Sequence, residues 1–141
     1  MGCCGLQLLH IAEAHCEKTG GRLTPPRRQV LEILGASEQP LGAYDIISQM
    51  PKGTKPPTVY RALEFWEEEG FVHRIGSLGL YAACKSGHRH DGAMFLICQK
   101  CGTVAEFHMH GQPVNEADMG GFTPDSWALE VKGICANCQP A

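Results

Sequence analysis

Residues 56–84 read PPTVYRALEFWEEEGFVHRIGSLGLYAAC, and the reading of this stretch decides the fold of the first half of the chain. Pro57 suits the first turn of a helix, where its missing N–H is no loss, and Gly70 suits the end, where positive φ is wanted. Val59, Leu63 and Trp66 recur at i, i+4 and i+7, so they share one face and should pack inward. Tyr60, Arg61 and Glu64 fall on other faces. Glu67, Glu68 and Glu69 sit at the helix end that the dipole disfavours for anions, so they are expected to be solvated. After Gly70, FVHRI and LYAAC alternate as strands do, and GSLG between them reads as a hairpin turn.

Working upstream, RLTPPRRQVLEIL carries a helix start, with Thr24 as N-cap and Pro25 at the first helical position. Val30, Leu31, Ile33 and Leu34 supply its apolar face, and Gly35 is expected to stop it. A short helix over Ala43–Gln49 carries Tyr44, Ile46 and Ile47, followed by the turn MPKGTKP. Before all of these, Leu6, Leu9, Ala12 and Cys16 recur at three to four residues, ended by Gly20-Gly21. Three helices followed by a β-hairpin is the outline of a winged helix-turn-helix, with the helix at 57–69 entering a major groove.

Downstream the pattern changes. AMFLIC, TVAEF and SWALEVKGI read as strands; in the last, Trp127, Leu129 and Val131 alternate with Ala128, Glu130 and Lys132. A short helix is expected near Pro113–Met119, before Gly120-Gly121. Lys85-Ser86-Gly87 reads as a linker. The expected fold class is α+β: a winged-helix DNA-binding domain over 1–83, a hinge over 84–90, and a second, metal-binding α/β domain over 91–141.

Composition bounds the function. A hydrophobic share of 43% in 141 residues supports a real core. The net charge of −3 hides an asymmetry: residues 18–61 carry seven Lys/Arg against three acids, and residues 62–141 carry five against ten. A basic segment in an acidic chain hints at a polyanion partner. The first residues lack a positively charged leader, and the longest apolar run, Ala93 to Cys98, is too short to span a bilayer. The expectation is a cytoplasmic protein with no membrane partner. In that reducing compartment its eight cysteines read as metal ligands or redox centres rather than disulfides.

Cys98-x-x-Cys101 and Cys135-x-x-Cys138 form the strongest motif. Each pair can aim two thiolates at one ion, and two pairs make a closed S4 tetrahedron suited to zinc. Such a site is structural, with no open position for catalysis. The 33 residues between the pairs exceed the usual zinc-ribbon gap, so a small β-unit must fill the gap and return the second pair. A thiol-disulfide redox protein is the remote alternative. His73, Cys84, His88, His90, Glu106, His108 and His110 are left over. A mixed set drawn from both halves could hold a second, more readily released ion. His10, His15 and His110 read as surface polar residues, and Cys3, Cys4 and Cys16 as free thiols. No Ser/His/Asp set or phosphate loop points to an enzyme or a small-molecule substrate.

Taken together, RLTPPRRQVLEIL, AYDII, KPPTVYRALEFWEEEGFVHRI, the CxxCG knuckle and the terminal GICANC resemble the ferric-uptake-regulator family, most closely its zinc-uptake branch. The resemblance covers about residues 20–138, with the motifs in the family's order. It implies an N-terminal winged helix, a C-terminal dimerisation domain, and a homodimer that binds double-stranded operator DNA when loaded with metal. It also implies that Cys98, Cys101, Cys135 and Cys138 hold a structural zinc. His73, Cys84 and Glu106 match three sensory ligands; His90 is the choice for the fourth, with His88 the alternative. A cysteine at a sensory position and the interrupted run HRHDGAMFLIC favour zinc over iron. Tyr60 and Arg61 match the family's DNA-contacting pair, and Thr58, Lys55, Arg27 and Arg28 complete the expected DNA-binding set. The expected function is a zinc-responsive repressor of zinc-uptake genes on a palindromic operator, with two zinc ions per protomer. A sensor of iron, another metal or peroxide is the alternative.

Overall fold

The computed structural model describes residues 3–84, 92–107, 115–124 and 127–140. The chain forms two compact units, Met1–Arg89 and His90–Ala141.

The first unit opens with α1 (Cys3–Thr19) and α2 (Pro25–Ala36). Thr24 caps α2, its hydroxyl accepting the Arg27 N–H at 3.5 Å, a contact whose loss typically costs about 1 kcal/mol. Gly35 does not end the helix: it stays helical, and the Ser37 N–H closes the last turn on the Leu34 carbonyl at 3.2 Å. A glycine interrupts a helix only weakly when no positive φ is demanded of it, and Gly35 has none. A two-residue strand, β1 (Leu41–Gly42), then leads into α3 (Ala43–Gln49). Such a strand is too short to leave an alternating pattern. Next come α4 (Pro56–Glu68) and the hairpin of β2 (Val72–Ile75) and β3 (Leu80–Ala83). Gly70 ends α4 at φ 83°, the left-handed conformation that favours glycine. The sheet order is β1-β3-β2, all antiparallel.

Val59, Leu63 and Trp66 of α4 are fully buried with Val30, Leu31 and Leu34 of α2, Ile46 of α3, and Leu9, Ala12 and Cys16 of α1. The indole N–H of Trp66 donates to the Arg27 carbonyl at 2.7 Å, which satisfies its polar edge inside the core.

The second unit is a three-stranded sheet ordered β5-β4-β6, from β4 (Gly92–Cys98), β5 (Val104–Phe107) and β6 (Trp127–Gly133). β4 pairs antiparallel with β5 and parallel with β6. Parallel neighbours need a long crossover, which accounts for the wide spacing of the cysteine pairs. Of the expected helix near 113–119, the described part is a 3₁₀ turn over Glu116–Met119, capped by Asn115. A second 3₁₀ turn covers Ala136–Cys138.

Candidate metal centres and nucleic-acid surface

Cys98 is the last residue of β4, and its partner across the parallel ladder is Gly133 at the end of β6. Parallel strands end side by side, so both cysteine pairs emerge at one end of the sheet. Gly102, at φ 79°, turns the first knuckle back: its N–H reaches the Cys98 carbonyl at 3.0 Å, and Cys98 N–H reaches the Thr103 carbonyl at 2.9 Å. The second knuckle closes as Cys138 N–H donates to the Cys135 carbonyl at 3.0 Å.

Sulfur atoms of Cys98, Cys101, Cys135 and Cys138 all lie within 4.8 Å of one another. Cys101 and Cys135 sulfurs are 3.8 Å apart. A tetrahedron with Zn–S bonds of about 2.3 Å has edges of about 3.8 Å, so the donor set and its size both fit zinc. Backbone N–H groups of Cys101 (3.5 Å) and Cys135 (3.3 Å) aim at Cys98 Sγ. These dipoles pull the Cys98 thiol down to about 5. The Thr103 hydroxyl, 3.1 Å from Cys101 Sγ, lowers that thiol as well. Cys138 is pushed up to about 12 by the side chains of Cys135 and Cys101 beside it. The tetrad thus favours thiolate at one corner and resists adding more negative charge at another, a conflict that a dication relieves.

A second donor pair sits on the hairpin of the first unit. His73 faces Ala82 across the ladder, and Cys84 lies two residues beyond Ala82. Diagonal neighbours share a face of the sheet. A donor nitrogen of His73 and the Cys84 sulfur come within 4.8 Å. The Cys84 N–H is held by the Phe71 carbonyl at 2.9 Å, and Cys84 itself is buried. Glu106 lies on β5, opposite Phe95 and half-buried.

On α4, Tyr60 and Arg61 are exposed, as is Lys55 at the N-cap; Thr58 is half-buried in the first turn. Arg27 and Arg28 are engaged within the unit. The Arg27 guanidinium lies 3.7 Å from the Phe65 ring centre and donates to the Arg22 carbonyl at 2.6 Å. Arg28 pairs with Glu13 and reaches Glu32 at 3.9 Å.

The ferric uptake regulator family model matches residues 18–131. The zinc uptake regulation protein of Escherichia coli (strain K12) is 38% identical over 141 residues, covering 94% of this chain and 81% of that protein. The chain belongs to the ferric uptake regulator family. Its members are transcription regulators and not enzymes. The peroxide operon regulator of Bacillus subtilis (strain 168) is 31% identical over 132 residues, covering 86% of this chain and 87% of that protein. A solved structure of a zinc uptake regulator complexed with zinc and DNA matches with a TM-score of 0.77 at 32% identity. It covers 95% of this chain and 94% of that one.

In this family member, His88 and His90, the alternative fourth ligands, lie outside the described residues, as do His108 and His110 and the side chains of Cys3 and Cys4. No helix among the described residues is long and apolar enough to cross a membrane. Two features escape a reading by residue type. His15 is not a fully solvated surface residue: its ring is half-buried and its Nε2 lies 2.5 Å from Glu69 Oε2. Glu69 therefore leaves the solvated acidic patch expected for 67–69, because a histidine on α1 offers a partner. Sequence separation of 54 residues hid that contact. The other feature is the outer face of the second sheet. Met94 and Leu96, Ala105 and Phe107, Leu129 and Val131 all share it by register, and every one is apolar. The signal was present in the alternation of each strand, but only the register shows that the three stripes coincide.

Proposed function

We propose that this protein is a cytoplasmic, zinc-responsive transcriptional repressor that binds a palindromic operator as a homodimer and controls zinc-uptake genes. The observation that carries the reading is the His73–Cys84 pair on the hairpin of the winged unit. A thiol and an imidazole in reach of one ion, on the element that follows the recognition helix, let metal occupancy act on DNA binding.

Cys98, Cys101, Cys135 and Cys138 hold one zinc that closes the second unit. A second zinc is taken by His73 and Cys84 together with Glu106 and His90, or His88 in its place. A cysteine ligand selects for zinc over the harder ferrous ion. Both ions together make two per protomer.

Zinc at the second site favours the conformer whose two winged helices match adjacent half-sites. A coupling of ~1–3 kcal/mol changes operator affinity by ~5–150-fold. Arg61 reads a guanine edge and Tyr60 a thymine methyl or phosphate, while Lys55 and Thr58 reach the backbone. Arg27 and Arg28 add positive potential, although Arg28 must share its charge with Glu13. The apolar outer face of the second sheet is the surface for the partner protomer.

The test is a gel shift on a palindromic operator with metal-free, zinc-loaded and iron-loaded protein, alongside metal content per protomer. Zinc-loaded protein should bind tightest. Cys84→Ser should hold about one zinc instead of two, stay dimeric, and lose zinc-dependent binding. Equal binding by metal-free and zinc-loaded protein would exclude a zinc sensor.

A further inference from the structure

His15 is one of the few polar side chains that α1 sends inward. Its Nε2 lies 2.5 Å from Glu69 Oε2, one residue past the end of α4. Its ring also meets the Phe71 ring edge-on, with centroids 5.3 Å apart at 62°. Phe71 is further held by Trp66, edge-on at 5.4 Å, and by its N–H on the Trp66 carbonyl at 2.9 Å. His15 therefore grips the link between α4 and β2 at two points, Glu69 and Phe71.

That link leads directly to the donor pair. Phe71 accepts the Cys84 N–H through its carbonyl at 2.9 Å, and His73 follows Phe71 by two residues. A shift of Phe71 moves Cys84 through the shared hydrogen bond and His73 through the strand. Metal binding demands ligand atoms placed within a few tenths of an ångström. Groups behind the ligands supply that placement.

We propose that His15 is a positioning residue of the second metal site, acting through Glu69 and Phe71 on Cys84 and His73. The inference rests on the reading of Cys84 and His73 as ligands. It explains why a half-buried polar ring packs against the end of α4 where an aliphatic side chain would fill the space. An aliphatic side chain could pack on Phe71 but could not also tie down Glu69.

The test uses cobalt(II) as the probe, titrated into the full chain with the four-cysteine site already filled by zinc. Cobalt binding at Cys84 gives a thiolate charge-transfer band and ligand-field bands that report the geometry of the site. His15→Ala should weaken cobalt binding about 10-fold and shift the ligand-field bands. His15→Gln, which retains a donor for Glu69, should recover part of the loss. Should His15→Ala fail to fold, Glu69→Ala makes the same comparison, with a similar loss expected. A folded variant with wild-type cobalt affinity and wild-type bands overturns the proposal. So does weaker binding with unchanged bands that merely tracks a lower unfolding temperature. Cys84→Ser in the same titration tests the parent reading separately. If the charge-transfer band survives it, Cys84 is not a ligand, whatever His15 does.

Discussion

Leu96→Glu should split the homodimer proposed above while leaving the second unit folded. Leu96 sits at the centre of the apolar sheet face, between Ala105 on β5 and Val131 on β6. With Val131 and Ile134 it lines a shallow hollow of about 380 Å³. Leu96, Val131, Ile134 and Phe107 remain 39%, 41%, 45% and 52% exposed in the single protomer. Fully burying such a side chain is worth about 1.5–3 kcal/mol, so each retains roughly 1 kcal/mol to gain. Four side chains on two protomers offer roughly 8 kcal/mol, set against an association cost of about 4–15 kcal/mol. An interface that close to balance is sensitive to one change. Leu96→Glu forfeits about 1 kcal/mol and adds about 1–2 kcal/mol for a polar group desolvated without a partner. A two-fold axis counts the change twice. The total, roughly 5 kcal/mol, weakens the dimer by about three to four orders of magnitude in Kd. Sedimentation equilibrium measures this directly, with zinc content of the four-cysteine site as the control for folding. A variant with correct zinc content and wild-type dimer affinity would refute the assignment of this face.

Three further outcomes are expected. Arg61→Ala should cost about 1–3 kcal/mol in operator affinity and relax the preference at one base position, whereas Lys55→Ala should weaken binding evenly and lower the salt slope by about 1; fluorescence anisotropy over a salt series separates the two. Trp66→Phe should destabilise the first unit by about 1–3 kcal/mol, because the Arg27 carbonyl loses its 2.7 Å donor inside a core where Trp66 is fully buried; urea denaturation reads this. In metal-free protein, the Cys98 thiol is held down to about 5 against an ordinary 9.0. The folded state then binds fewer protons than the unfolded one across that window, so stability rises with pH from about 5 to 9. The gain is lost as pH falls through about 5. Cys138, pushed up to about 12, has the opposite sign, so stability should fall again above pH 9. Thermal unfolding across this range, repeated with zinc, should show the dependence weakened by the metal.

Several elements were legible because their causes are local. Thr24-Pro25 caps and starts α2 by the chemistry of those two residues, and Val59, Leu63 and Trp66 declare the buried face of α4 by spacing alone. The hairpin after Gly70 follows from positive φ and alternation. The two CxxC pairs announce a tetrahedral sulfur site because two intervening residues suffice to aim both thiolates. Other features were not legible because their causes are distant. β1 is too short to carry a period. Gly35 tolerates the helix it was expected to end. His15 and Glu69 meet across 54 residues, so neither residue's neighbours in sequence foretell the contact.

The sequence by itself determined the winged-helix order, the two CxxC pairs that could share one metal ion and the family, since each depends on residue types at short, fixed spacings. Only the tertiary structure decided how distant pairs combine. Parallel pairing of β4 with β6 carries Cys135 and Cys138 to the same sheet end as Cys98 and Cys101. Hairpin register sets His73 and Cys84 on one face, and sheet register merges three apolar stripes into a single surface. Packing of α1 on the end of α4 gives His15 its partners. Register and packing are properties of chain segments that meet through the hydrophobic core, and no window of sequence contains both sides of such a contact.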